Sequence, residues 1–156
     1  MVALPAAQSD AVVRGEVIDA QAYLSNDKTG IYSEFTVRIG EVLKDFQQAP
    51  IADDQQITVE REGGAVKFSS GRIQRYSIAN QRMPRVGRQY VLFLKYNEEG
   101  KDYSILTGYE IRRGRVIPLD ALAQFAAYKN SEEVSFLNAV KDAIARPAQT
   151  SKGGEY

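Results

Sequence analysis

Arginine and tyrosine together can hold a polyanion. The guanidinium pairs with phosphate or carboxylate, and the ring stacks on a base or a sugar. Residues 61–115 carry nine arginines, with Tyr76, Tyr90, Tyr96, Tyr103 and Tyr109 interleaved among them. This block holds 12 basic against 5 acidic groups, whereas residues 1–60 hold 4 against 10 and residues 116–156 hold 4 against 5. Formal charge is zero overall. The candidate binding residues are Arg72, Arg75, Arg82, Arg85 and Arg88 with Tyr76. Such a surface suits single-stranded nucleic acid or an acidic glycan, and equally a protein partner, because Arg and Tyr anchor interfaces. The plainer expectation is that acidic strands lie beside basic ones and pair across a sheet.

Carboxylates are the second chemical possibility. Glu60 and Glu62 share one strand face, and Asp53 and Asp54 lie in a loop. Two carboxylates can cleave a glycoside only at a set separation inside a cleft, so a cleft lined by Glu60 and Glu62 is what a hydrolase would need. Other chemistries are closed by composition. Without Cys there is no disulfide, thiolate nucleophile or Cys-based metal site, and without His the commonest general base and metal ligand are missing. Ser9 and Ser69-Ser70-Gly71 therefore have no His for a triad. A Ser-Lys pair with Lys67 or Lys95 stays formally open. Gly63-Gly64 and Gly71 lack the spacing of a phosphate loop. No cofactor, metal or catalytic residue is expected.

The elements that must position these groups are mostly strands. Residues 88–96 are the densest strand-forming run, with Tyr90, Leu92, Leu94 and Tyr96 on one side and Val91 and Phe93 on the other. Apolar groups on both sides predict a strand covered on both faces. Residues 10–20 and 31–43 alternate similarly, and in the second the apolar phase slips between Ile39 and Val42, which predicts a β-bulge at Gly40. Gly15 inside the first strand predicts a bend or a close backbone approach. Residues 25–30 form a turn with too few oxygen ligands for a calcium loop. Strands follow at 55–62, 65–69, 72–78 and 102–111, with a hairpin turn at Arg113-Gly114-Arg115 and a short return strand at Val116-Ile117.

The period then becomes helical. Leu119, Leu122, Phe125 and Ala126 predict a helix over 119–128 that packs on the strands or meets a partner. Ser131 reads as the N-cap of a second helix ending at Pro147, with Val134, Leu137, Val140 and Ile144 as its apolar stripe. The fold class is therefore α+β: an OB-like antiparallel β-barrel of five or six strands with two C-terminal helices, a β-sandwich being the alternative.

One domain over residues 10–147 accounts for the length. Residues 148–156 read as a flexible tail. Residues 1–9 lack the basic region and long apolar core of an intact signal peptide. They have the Ala- and Pro-rich character of a stretch that follows a cleavage site, so the expectation is a disordered remnant on a periplasmic or secreted protein.

Three segments taken together, residues 10–17, 32–44 and 86–94, resemble a group of uncharacterised secreted bacterial domains. Those domains are in turn similar to the OB-like barrel of the netrin and metalloproteinase-inhibitor type. The resemblance spans roughly residues 10–110. It implies an exported barrel and no catalytic residue. The animal inhibitors bind the protease zinc through an N-terminal Cys, which this chain lacks. The expectation is a non-catalytic binding or scaffolding domain for another protein, with nucleic acid or an anionic glycan as the alternative ligand and a paired-carboxylate hydrolase as the third reading.

Overall fold

The computed structural model describes residues 4–25 and 29–146. Its elements, in order, are β1 (Ala11–Leu24), β2 (Ile31–Lys44), β3 (Gln56–Glu62), β4 (Gly64–Lys67), β5 (Ile73–Tyr76), β6 (Gln89–Asn97), β7 (Asp102–Arg112), β8 (Arg115–Pro118), α1 (Ala123–Ala126) and α2 (Glu133–Ala145). The main sheet runs β3-β2-β1-β6-β7-β8, and β4 pairs separately with β5. Every pairing is antiparallel except that of β3 with β7, where Val59 lies opposite Tyr103 and Glu60 opposite Ser104. That contact closes a ring of five strands, β1-β2-β3-β7-β6. The protein is thus mainly antiparallel sheet with two short helices at its C-terminal end. Among the described residues, no helix is long and apolar enough to cross a membrane.

Alternation along the strands divides the apolar residues into two cores. Val13, Val17, Phe35, Val37, Ile39, Ile57, Val59, Leu92, Leu94, Tyr103 and Ile105 are buried in one cluster to which all five ring strands contribute. The second cluster joins Val12, Val91, Phe93, Tyr109 and Val116 to Phe125, Phe136 and Val140 of the helices. β6 serves both: Tyr90, Leu92 and Leu94 face the first and Val91 and Phe93 the second, all of them buried. This is the two-faced burial expected of residues 88–96.

Bulges let the long strands bend round the ring. Arg14 faces Glu41 while Gly15 faces Ile39, so Gly40 is the extra residue, as the phase slip predicted. Leu43 is skipped in the same way, and Ile18 is skipped on β1. Gly15 sits at the bulge, where a Cβ would come within 2.6 Å of the Arg38 carbonyl oxygen. The close approach is the reason for glycine there.

Four expectations are corrected. Residues 4–9 are not a free remnant: they form turns in which Leu4, Ala6 and Ser9 are buried. Lys44 Nζ holds them by donating to the carbonyls of Ala6 and Ser9 at 2.9 and 2.7 Å. The first helix is a single turn, Ala123–Ala126, because Leu119 continues the sheet with its N–H on the Gly108 carbonyl. Asp120 likewise bridges to Gln81 instead of joining a helix. Ser131 does not cap α2; Glu132 occupies that position without a side-chain cap bond. The reason is that the approach to α2 pairs with the β7–β8 hairpin, Val116 donating to Ser131 and Glu133 to Gly114. Val134 is 70% exposed, and the buried face of α2 is carried by Phe136 and Val140. Pro147 and the tail at 148–156 lie outside the described residues, as do residues 26–28 of the turn.

Candidate functional site

The outward faces of β2 and β3 bring like charges together. Glu34 stands directly opposite Glu60 in the antiparallel register, and Tyr32 stands opposite Glu62. Carboxylates directly opposite each other destabilise a sheet, where an opposite-charge pair would stabilise it by roughly 0.2–1 kcal/mol. The end of β1 adds Tyr23, which faces Tyr32 across the strands with ring centroids 6.2 Å apart. The β6–β7 turn adds Glu99, and β7 adds Asp102 and Ser104. These groups line one cleft of about 630 Å³.

Hydrogen bonds fix the centre of the cleft. Tyr23 Oη donates to Glu60 Oε1 at 3.1 Å. Asn97 Nδ2 lies 3.2 Å from Glu60 Oε2, 3.2 Å from Asp102 Oδ1 and 2.9 Å from Ser104 Oγ, so one amide bridges two carboxylates. Glu60 holds its proton more tightly than an ordinary carboxyl, first because it is desolvated and then because Asp102 is beside it. Tyr23 is pushed up by burial and by Glu60. At the rim, Tyr76 Oη donates to Glu62 Oε2 at 3.1 Å, which raises the phenol.

Among the described residues, no ion pair neutralises this cleft: none of Glu34, Glu60, Glu62, Glu99 and Asp102 forms one. Arg61 lines the cleft but is committed beneath it, its Nη2 2.7 Å from Asp120 Oδ2 and its Nη1 donating to the Arg82 carbonyl at 3.0 Å. Among the described residues, no three acidic groups converge to hold a metal ion. Glu60 and Asp102 share the Asn97 amide, Glu34 stands opposite Glu60, and Glu99 lies in the β6–β7 turn.

The six residues singled out in the sequence are divided among different tasks. Arg72 follows the Ser70-Gly71 turn and stacks its guanidinium 4.9 Å from the Phe68 ring centroid. Arg75 and Tyr76 lie in β5, and Arg75 is exposed. Arg82 donates to the backbone, to the Leu119 carbonyl at 3.3 Å and to that of Pro118. Arg85 is exposed in the loop before β6, its N–H bonded to Tyr90 Oη at 2.7 Å. Arg88 Nη1 pairs with Glu110 Oε2 at 3.0 Å, and Arg112 reaches the same carboxylate. Charge pairing across the ring is therefore sparse: Lys95 with Asp10, at 3.6 Å, is the one ion pair among the described residues that joins the acidic first block to the basic middle block. The arginines of the middle block pair instead with Glu110 and Asp120.

Of the cleft, only the Glu60–Glu62 pair was marked in the sequence. Glu34, Tyr23, Tyr32, Asn97, Glu99 and Asp102 were missed. A signal existed: Tyr32 and Glu34 occupy the outward phase of β2, as Glu60 and Glu62 do in β3. Only the register of the two strands turns those phases into one acidic surface. Comparison with known proteins finds no matching family model, no matching curated protein and no matching solved structure.

Proposed function

We propose that this is a non-catalytic binding domain whose acidic, tyrosine-lined cleft receives a lysine- or arginine-bearing segment of another protein. The observation that carries the reading is the Glu34–Glu60 pair in the cleft, to which no described residue forms an ion pair. A sheet that keeps opposed carboxylates without a cation gives up stability at that spot, which is expected where a ligand supplies the missing charge. Tyr23 and Tyr32 suit the same ligand, because aromatic faces attract guanidinium and ammonium groups.

The scaffold we propose is an OB-like barrel. The ring passes through its first, second, third, fifth and fourth strands in that order, and the third-to-fifth contact alone is parallel. In such barrels the outer face of the second and third strands and the adjoining loops carry the ligand. The cleft lies on the corresponding β2–β3 face beside the β6–β7 turn. A periplasmic or secreted location belongs to the proposal through the resemblance of residues 10–17, 32–44 and 86–94. Fractionation of the source cells, with the full chain in the cytosolic fraction, would remove that part.

An oligolysine peptide titrated calorimetrically is the direct test. Binding should weaken steeply with salt and with Glu34→Gln, and an oligoglutamate control should not bind. Absence of oligolysine binding by the monomeric protein, or binding indifferent to Glu34→Gln, would refute the proposal.

A second reading is hydrolysis by Glu60 with Asp102, favoured by the raised proton affinity of Glu60. Against it, both oxygens of Glu60 already accept hydrogen bonds, from Tyr23 and from Asn97. Turnover of chromogenic glycosides that disappears in Glu60→Gln would establish it.

A further inference from the structure

We infer that the cation received by the cleft is the β4–β5 hairpin of a second copy of this chain, exchanged reciprocally across a two-fold axis; this rests on the cleft being a cation site. Strand pairing sets Lys67 opposite Ile73 and Ala65 opposite Arg75. Paired residues in an antiparallel ribbon share a face, and all four of these side chains are exposed. Of the alternate residues, Val66 and Tyr76 are half-buried, Tyr76 being tied to Glu62, and Gln74 is exposed. The hairpin therefore shows solvent a face bearing Lys67 and Arg75, with Ile73, 50% exposed, directly across from Lys67. Among the described residues neither Lys67 nor Arg75 forms an ion pair. Arg72, laid over Phe68, extends the positive surface to the tip. The sequence from residue 63 to residue 97 contains no carboxylate at all.

The base of the hairpin is held on β2. Gly63 donates to the Ile31 carbonyl at 2.7 Å, and Ser33 Oγ donates to the Gly63 carbonyl at 2.8 Å. At Gly64, φ is +131° and an added Cβ would stand 2.4 Å from Ser33 Oγ, so a side chain there would push the hairpin off β2. The hairpin thus springs from Glu62, on the rim of its own molecule's cleft. A basic surface and an acidic surface that adjoin on one molecule can satisfy each other twice under a two-fold rotation, which closes the assembly at a dimer. Zero formal charge removes any net repulsion between the copies. In the dimer Lys67 and Arg75 of each copy meet the carboxylates around Glu34 and Glu99 of the other, and the tyrosines of the cleft pack on the incoming side chains.

Light scattering behind size exclusion, at low and high ionic strength, reads the outcome. The expected result is a dimer at low salt that dissociates as salt rises. Lys67→Glu with Arg75→Glu should be monomeric, and so should Glu34→Lys with Glu99→Lys, both retaining the circular dichroism of the parent. An equimolar mixture of the two variants should regain the dimer mass, because each interface of the mixed pair joins opposite charges. A monomeric parent at low salt, a dimer unaffected by either reversal, or a mixture that stays monomeric overturns the inference. Oligolysine separates the two levels. If it binds a monomeric parent, the inference fails and the cation site stands. If it does not bind the monomeric Lys67→Glu with Arg75→Glu variant, whose cleft is open, both fail.

Discussion

Asp120→Ala should be among the most damaging single substitutions in the protein. Arg61 and Asp120 are 3% and 4% exposed as side chains, and Asp120 Oδ2 accepts from both Arg61 Nη2 and Thr107 Oγ1 at 2.7 Å. Removing the carboxylate strands a guanidinium in the interior with the Arg82 carbonyl as its remaining partner. Breaking a buried pair from one side costs ~3–5 kcal/mol. For a chain of this size each kcal/mol moves Tm by about 2–4 °C, so the loss is about 6–20 °C. The double variant Arg61→Met with Asp120→Leu should behave differently. The pair is imperfect as it stands, since Arg61 Nε and Asp120 Oδ1 have no hydrogen-bond partner. Replacing both charges by apolar groups returns ~1–4 kcal/mol of desolvation, offset by leaving Thr107 and the Arg82 carbonyl unpaired at ~1–3 kcal/mol each. The double variant should therefore lie closer to the parent than Asp120→Ala does. Urea unfolding of the parent, Asp120→Ala, the singles Arg61→Met and Asp120→Leu, and the double, with unchanged m-values, measures the cycle. A single-variant loss under ~1 kcal/mol, or a double variant whose loss equals the sum of the singles, would refute the reasoning.

Three further outcomes are expected. Leu92→Ala or Leu94→Ala, both fully buried, should cost ~2–5 kcal/mol by chemical denaturation, whereas Val134→Ser on the exposed side of α2 should stay within about 0.5 kcal/mol of the parent. Glu60, with a raised folded pKa, contributes stability present below the ordinary carboxylate range and lost as pH rises through the raised value, so Glu60→Gln should stabilise the free protein at neutral pH and flatten that slope. Oligolysine affinity should run the other way, falling as Glu60 takes up its proton. Glu110 is the converse case: burial opposes its charge, but Arg112 and Arg88 outweigh it and hold the carboxyl low. Its contribution is present above the ordinary range and lost as pH falls through the lowered value, so Glu110→Gln should remove part of the acid-side decline in a pH series of thermal melts.

What could be read from the chain depended on the range of the physics involved. Two-residue periodicity is local, and it located the ring strands, the two-faced β6 and even the extra residue at Gly40. Helical periodicity from 119 to 128 was equally clear, but tertiary pairing overrode it: Leu119 and Asp120 are held by Gly108 and Gln81, partners outside any local window. The same holds at Ser131, whose good capping chemistry lost to pairing with the β7–β8 hairpin. Arginine content pointed to an anion site, yet Arg61, Arg82, Arg88 and Arg112 are engaged with Asp120, Glu110 and backbone carbonyls. The acidic cleft was hidden because its members come from β1, β2, β3, β6, β7 and a turn. Which outward residues meet is fixed by register, and register is decided by the buried side of each strand.

The parallel contact between β3 and β7 spans only two residue pairs, and one of them is Glu60 with Ser104. Every other junction of the ring is longer. The ring is thus a strip fastened by a short clasp, and the floor of the cleft is the clasp itself. Amide exchange at residues 58–60 and 103–105 should reveal it as the first place to open. An occupant that reaches from Glu60 to Asp102 would tie the two ends of the strip together, so that occupancy and closure become one event.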